Sequence, residues 1–447
     1  MDGARHSGPD HPVSEASRPV HDVAIVGAGQ AGLAAAWALR REGVTNVVVL
    51  DARPRGKEGP WNTYARMPSL RTPKGPTGAD SGVPGLTVRA WHDQVLDRET
   101  WERMTLMPTA HWMAYLDWVR TMTGIEVANE TRLLDLGGSP DGLVQLRCQA
   151  AGAAAPYTLV CRKVVLATGL EGAGGAAMPD FVAEVGCQGI AHSSDMIDFA
   201  ALRGRTVGVI GAGASAFDNA ATAAEARAAI VHHFVRRTEL PTVNVVRWMD
   251  FAAFGRNFRH LPDARRRAYV RQFIGTAMPP PPETLARTQR LSNHALHLGA
   301  PIDRLERKGS GLVVCTPRGD FELDFLILGT GFEFDLAPVP ELAGLLPLIS
   351  RWGDRPSAPR NGDSLDSRID KYPYLGPEFQ FQAIDPQKSP WVENVHLINS
   401  MAVASMGPIS SGGINGLKFM VSRLARGLLR DLDIQERREA LARTYAS

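Results

Sequence analysis

The stretch Asp22-Val23-Ala24-Ile25-Val26-Gly27-Ala28-Gly29-Gln30-Ala31-Gly32 decides the fold. A short apolar strand runs without a break into a Gly-x-Gly-x-x-Gly turn, and Leu33 to Arg41 continues with helix formers, giving the order strand, glycine turn, helix. Each glycine has a task. Gly27 permits the tight turn, Gly29 lets a pyrophosphate come against bare backbone at the positive end of the helix, and Gly32 lets helix and strand pack closely. Gln30 and Ala31 supply the first-turn backbone beside that phosphate. The next strand, residues 46–50, ends in Asp51, near the ~20-residue spacing expected of an acid that accepts hydrogen bonds from a ribose diol.

The arrangement recurs. Residues 206–210 read as a strand, Gly211-Ala212-Gly213-Ala214-Ser215-Ala216 as a Gly-x-Gly-x-x-Ala turn, and residues 217–229 as a helix, so a second dinucleotide site is expected. The strand after it, 230–235, ends in Arg236-Arg237 where the first unit has Asp51. A guanidinium pair suits a 2′-phosphate, which favours NADPH and leaves NADH possible. The competing reading is a solvated basic turn.

Two further strands end in small residues, one at Ala167-Thr168-Gly169 and one at Gly329-Thr330-Gly331. They flank the second unit, as expected if the chain leaves the first domain at one and returns at the other. The predicted fold is therefore α/β, with two Rossmann-like dinucleotide-binding domains, the second inserted in the first. The expected boundaries are a disordered leader over 1–20, the first part of the outer domain over 21–195, the inserted domain over 196–320 and the rest of the outer domain over 321–447. Alternating residues at 312–316 and 321–323 predict a small antiparallel meander.

Composition narrows the class. The 447 residues carry 49 Lys+Arg against 47 Asp+Glu, net +2, which offers no polyanion-binding surface and hence no nucleic-acid partner. Cys148, Cys161, Cys187 and Cys315 lie too far apart for a zinc ribbon or a Cys-x-x-Cys dithiol. No stretch has the apolar length of a signal peptide or membrane span, so a cytoplasmic protein without a membrane partner is expected.

With both turns in place the chain resembles the class B flavin monooxygenases: the flavin-containing, Baeyer-Villiger and N-hydroxylating monooxygenases. The resemblance covers roughly residues 21 to 430, and it implies that the outer domain, 21–195 and 321–447, is the FAD domain and the inserted one, 196–320, the NAD(P)H domain. It implies that Gly27, Gly29, Gln30, Ala31, Gly32 and Asp51 hold FAD, while Gly211, Gly213, Ala214, Ser215, Arg236 and Arg237 hold NADPH. Trp61, in Glu58-Gly59-Pro60-Trp61, falls where Baeyer-Villiger enzymes have a Gly-Gly-Thr-Trp loop near the flavin. Thr168, Gly169 and Gly331 stand at the strand ends near the cofactors. Asn399 follows a strand at 395–398, and Gly413 and Ile414 lead into a helix over 416–430 whose first-turn N–H groups face the flavin. Ser69-Leu70-Arg71-Thr72-Pro73-Lys74 is similar to a Ser-Leu-x-Thr-Asn segment, with Pro73 in place of the Asn. Arg71, Thr72 and Lys74 are then the catalytic candidates, with bound NADP+ as the other source of the missing hydrogen bond. Gly189 to Asp195 departs from the Baeyer-Villiger fingerprint, one residue short between Gly189 and His192 and without its Trp.

The activity so implied is reduction of FAD by NADPH, reaction with O2 to a flavin C4a-(hydro)peroxide, and transfer of one oxygen atom to a small molecule. No metal is assigned and the oligomeric state is left open. An FAD-dependent oxidoreductase or oxidase without oxygen insertion, and a non-enzymatic nucleotide sensor, are the alternatives. Trp112, Tyr115 and Trp118, three apart, predict a buried helix face. Pro279–Pro282 predicts a stiff surface connector, and Lys371, Tyr372 and Tyr374 in 352–377 predict a lid over the flavin or a surface loop.

Overall fold

The computed structural model describes residues 19–75, 78–355 and 360–445. The expected leader lies outside them up to residue 18, and Val20 already begins the first strand. The first unit forms β1 (Val20–Val26), α1 (Gln30–Arg41) and β2 (Val47–Leu50). Helix α2 (Thr109–Thr123) packs against α1, and β3 (Tyr157–Leu166) pairs parallel with β1 from Val20↔Val160 to Val26↔Leu166. Val23, Ala24 and Ile25 are fully buried, the continuous apolar run of a parallel strand covered on both faces. The upper half of β3 pairs with Val395–Leu397, and its lower half carries an antiparallel hairpin, Thr131–Gly138 and Val144–Ala150.

The second unit forms β4 (Thr206–Ile210), α3 (Ala214–Glu225) and β5 (Ile230–Val235). With β6 (Phe325–Leu328) they build a second, wholly parallel sheet in the order 294–298, β5, β4, β6, 190–192. The three-stranded meander spans Arg304–Lys308, Gly311–Thr316 and Gly319–Leu323. Boundaries at 195 and 320 are therefore too narrow, because Ile190–His192 and β6 both hydrogen-bond into the second sheet. The two crossings between sheets lie together: Gly174–Ala176 pairs antiparallel with Phe332–Phe334. His192 Nε2 donates to the Gly331 carbonyl at 2.9 Å, and Thr330 Oγ1 to the Ala177 carbonyl at 2.5 Å.

Several local expectations change. Helix α3 stops at Glu225 rather than 229, where Arg227 takes φ 67° and the Ala228 N–H reaches back to the Ala223 carbonyl, a left-handed helix stop. The C-terminal helix α4 (Leu417–Tyr445) runs far past residue 430 and packs on α1. Pro279–Pro282 is no free connector: Pro282 opens a helix to Gln289 that packs against α3, since proline suits a first helical turn. Segment 352–377, of which 356–359 lie outside the described residues, is not a lid. Trp352 and Tyr372 are buried in the core, and the Tyr374 hydroxyl lies between Arg266 and Asp263.

Candidate active site

A cavity of about 860 Å³ opens along the first turn. Its wall brings together Gly27, Gly29, Gln30, Ala31, Asp51, Trp61, Thr168, Gly169, Asn399, Gly413 and Ile414, all singled out from sequence. The geometry of the turn explains the glycines. Gly27 has φ 100°, and a Cβ there would stand 2.4 Å from the Ala167 carbonyl oxygen. A Cβ on Gly32 would stand 1.8 Å from the Gly27 oxygen. Gly29 is different: its nearest neighbour is the Gly59 Cα at 3.8 Å, so its bare face looks into open space at the uncapped N-terminus of α1.

Asp51, only 8% exposed, accepts the Ala28 N–H on Oδ2 at 2.7 Å and the Arg53 N–H on Oδ1 at 2.8 Å. Burial pushes its carboxyl above the usual range, against the pull of those two N–H groups. The Asn399 amide donates to Thr168 Oγ1 at 3.2 Å and to the Gly172 carbonyl at 3.0 Å, while its oxygen caps the Met401 N–H. Gln30 Nε2 donates to the Gly412 carbonyl at 3.2 Å, and Gln30 Oε1 is buried without a protein partner. An open glycine cradle, free helix N–H groups, an acid at the ribose end and this orphaned amide oxygen are the features an FAD requires.

The second turn repeats the cradle. Gly211 has φ 135°, a Cβ on it would stand 2.3 Å from the Gly329 oxygen, and Gly213 has nothing within 4 Å at the uncapped start of α3. The register, with Ile210 opposite Phe234 as Val26 is opposite Leu50, puts Val235 in the place of Asp51. Arg236 and Arg237 follow it, both exposed. No carboxylate stands there to repel a phosphate. Sequence reasoning missed His233, fully buried in β5, whose Nε2 donates to the Gly211 carbonyl at 2.8 Å. Burial pushes its pKa down to about 3, so it stays neutral.

The cavity wall is built without Arg71, Thr72, Lys74 or Gly331. Arg71 forms an ion pair with Asp218 of α3, whose Oδ1 also accepts from Thr284 Oγ1 at 3.2 Å and lies 3.6 Å from Arg287. Lys74 Nζ donates to the Trp101 and Glu102 carbonyls at 2.8 and 3.1 Å. Both cations are engaged in joining elements. Gly331 sits at the crossing, held by His192. Asp218 had a readable signal in retrospect: it is a lone acid on the alanine-rich inner face of α3, 3% exposed as a side chain.

Residues 24–248 match the family described as pyridine nucleotide-disulphide oxidoreductase. The chain is 40% identical to the FAD-dependent urate hydroxylase of Xanthomonas campestris pv. campestris over 427 residues, 95% of this chain and 89% of that protein. The ornithine hydroxylase of Pseudomonas aeruginosa superposes with TM-score 0.73 at 16% identity, covering 93% of this chain and all of that one. The ornithine N-hydroxylase of Kutzneria sp. 744, solved with reduced FAD, NADP+ and L-ornithine, gives TM-score 0.70 at 16% identity, covering 92% of this chain and 100% of that one. At that identity the two structures speak for the fold. All four cysteines here are free and none lines the cavity, so no dithiol stands where a disulfide reductase needs one. With the 40% identity running through nearly the whole of both chains, the chain belongs to the FAD-dependent monooxygenases within the pyridine nucleotide-disulphide oxidoreductase family.

Proposed function

We propose that the protein hydroxylates urate or a closely related oxopurine with O2 and NADPH. The carrying observation is the 40% identity over 95% of the chain with a urate hydroxylase. In balance, substrate, O2, NADPH and a proton give hydroxylated substrate, NADP+ and water. FAD, when bound, supplies the oxygen activation and takes the electrons of NADPH.

The chain's own residues bind, orient and exclude water. Gly27, Gly29, Gly32 and the first turn of α1 hold the FAD pyrophosphate, Asp51 its ribose, and Gln30, Asn399, Gly413 and Ile414 the flavin end. Gly211, Gly213, Ala214 and Ser215 hold the NADPH pyrophosphate. Arg236 and Arg237, with Val235 in the acid's place, hold the 2′-phosphate; losing one bidentate contact costs about 1.5–3 kcal/mol, roughly ten- to a hundredfold in coenzyme preference. The Arg71–Asp218 pair, with Thr284 and Arg287, fixes α3 against the strand 69–73 and so sets the distance between the two cofactor sites. Substrate meets the flavin end near Gly413, where the wall is exposed and Asn415 Nδ2 donates to Asp250 Oδ2 at 2.6 Å.

The test is NADPH oxidation by the purified holoenzyme with urate, xanthine, L-ornithine or L-lysine, with heavy-isotope O2 and mass analysis of the product. Urate should accelerate NADPH oxidation and gain one labelled oxygen atom. Acceleration by the amino acids alone, or urate recovered without label, would refute the substrate assignment.

A further inference from the structure

An unbroken row of aromatic rings leads from the cavity wall to the surface. Trp61, on the wall, meets Trp112 of α2 edge-on with ring centroids 6.5 Å apart. Trp112 lies 5.4 Å from Tyr115, and Tyr115 6.4 Å from Trp118. Trp112 and Tyr115 are fully buried, whereas Trp118 is half-buried at the surface. The spacing Trp112, Tyr115, Trp118 stacks one ring per turn of α2, and a buried packing face alone does not require the last of them to reach solvent.

We propose that this row is a one-electron path, by which an oxidant in the cavity is quenched with an electron drawn from a thiol in solution. The oxidant is an oxygen radical left by a turnover that fails to oxygenate substrate, or light-excited oxidised FAD. It gains one electron and Trp61 loses one. Trp112 then reduces Trp61, and Trp118 reduces Trp112 across the Tyr115 ring. At the surface the Trp118 radical cation gives its N–H proton to water, and the neutral radical takes a hydrogen atom from the thiol. The net change is one electron and one proton leaving the thiol, the electron reaching the cavity oxidant and the proton solvent.

Three observations fix the route. The Trp112 Nε1–H is buried without an acceptor, so its radical cation keeps its proton and the charge stays mobile. The Tyr115 hydroxyl donates to the Leu86 carbonyl at 3.0 Å, which is no base, so Tyr115 serves as a bridge rather than a stopping point. A side branch runs from Tyr115 to Trp91 at 6.1 Å and, past His92, to Trp101. Trp101 is buried, 5% exposed, beneath Lys74 at 5.8 Å from its ring centre, so a positive charge there meets a cation and has no contact with solvent through which to lose a proton. The exit is therefore Trp118.

The path rests on FAD occupying the first cavity and not on urate as substrate. The holoenzyme is illuminated with blue light, without oxygen or NADPH, in dithiothreitol. The readouts are bleaching of the oxidised flavin absorption and the electron paramagnetic resonance signal of a tryptophan radical. Trp112→Phe and Trp118→Phe should each bleach about tenfold more slowly than wild type, equivalent to roughly 1.4 kcal/mol of added barrier, with FAD content and dark reduction by NADPH unchanged. Tyr115→Phe should bleach at the wild-type rate. Equal rates in wild type and Trp118→Phe, a surface variant with little demand on folding, overturn the path; so does a loss in Tyr115→Phe as large as that in Trp112→Phe. Loss of flavin from the wild type on purification would count against the FAD site itself, a separate failure.

Discussion

Where helix packs on strand, the two glycine turns place one methyl group on opposite sides. In the first, helix residue Gly32 faces strand residue Ala167; in the second, Ala216 faces Gly329. Each contact has room for a single Cβ, and the two units place it on opposite sides. A Cβ on Gly32 would collide with the Gly27 carbonyl oxygen, while one on Gly329 would lie 2.5 Å from the Ala216 Cβ. The Gly211 carbonyl accepts from His233 in the second turn, whereas the first turn is held from the other side, by the Asp51 carboxylate on the Ala28 N–H. Packing thus constrains the pair of residues rather than either one. The residues proposed to set coenzyme identity lie one strand away, at Asp51 and at Val235-Arg236-Arg237.

This comparison can be broken at graded cost. Gly32→Ala sets a Cβ 1.8 Å from backbone with no flexible atom to yield, and should give protein without FAD and with the largest fall in melting temperature. Gly329→Ala, whose Cβ would meet the Ala216 Cβ at 2.5 Å and the Ala216 Cα and Ile210 oxygen at 2.7 and 2.8 Å, should cost about 1–3 kcal/mol, the usual price of overpacking, and Ala216→Gly in the same chain, which removes only the first of these contacts, should restore part of it; thermal unfolding of the single and double variants decides, and no rescue would disprove the exchange. Acid should act next. Burial holds His233 down to about 3 and His294 and His396 down to about 4, against 6.5 for free imidazole. Because folded values are depressed, the unfolded chain binds protons first as pH falls, so their stabilisation is full above about pH 6.5 and drains below it, by up to about 1.4 kcal/mol per pH unit for each group. Two of the three lie in the second sheet, and His233→Gln should flatten the melting temperature between pH 7 and 5. Smallest in stability, and sharpest in ligand, are Gly29→Ala and Gly213→Ala. Each Cβ enters open space at negative φ, so unfolding of the ligand-free protein should shift by less than about 0.5 kcal/mol. The first should nevertheless lose FAD and the second only NADPH, measured as bound flavin and as coenzyme titration.

What sequence could reveal follows from distance along the chain. Gly27 to Gly32, Gly211 to Ala216 and the strand ends at 167–169 and 329–331 are legible because a positive φ or a close backbone contact leaves glycine where it occurs. The wall residues Asn399, Gly413 and Ile414 came from resemblance to a family. The partners of Arg71 and Lys74 were not legible, since a cation that closes an ion pair with Asp218 looks in sequence like one free to act on a substrate. His233 was hidden for the same reason: nothing local says that its Nε2 will meet a carbonyl 22 residues earlier. Placing Arg236 opposite Asp51 missed by one residue, because the alignment of two strands depends on hydrogen bonds between them and not on counts within either.

The ribbon of Gly174–Ala176 against Phe332–Phe334 limits how the second domain can travel. Two separate linkers would allow it to twist, slide and tilt. Here the outgoing and returning chains are hydrogen-bonded side by side, and His192 and Thr330 pin the ribbon's far end. Bending such a strap is easy in one direction and costs ladder hydrogen bonds in the others. The two strands of the crossing therefore act as one strap, and the Arg71–Asp218 pair adds a second tie between the two sheets' domains away from it.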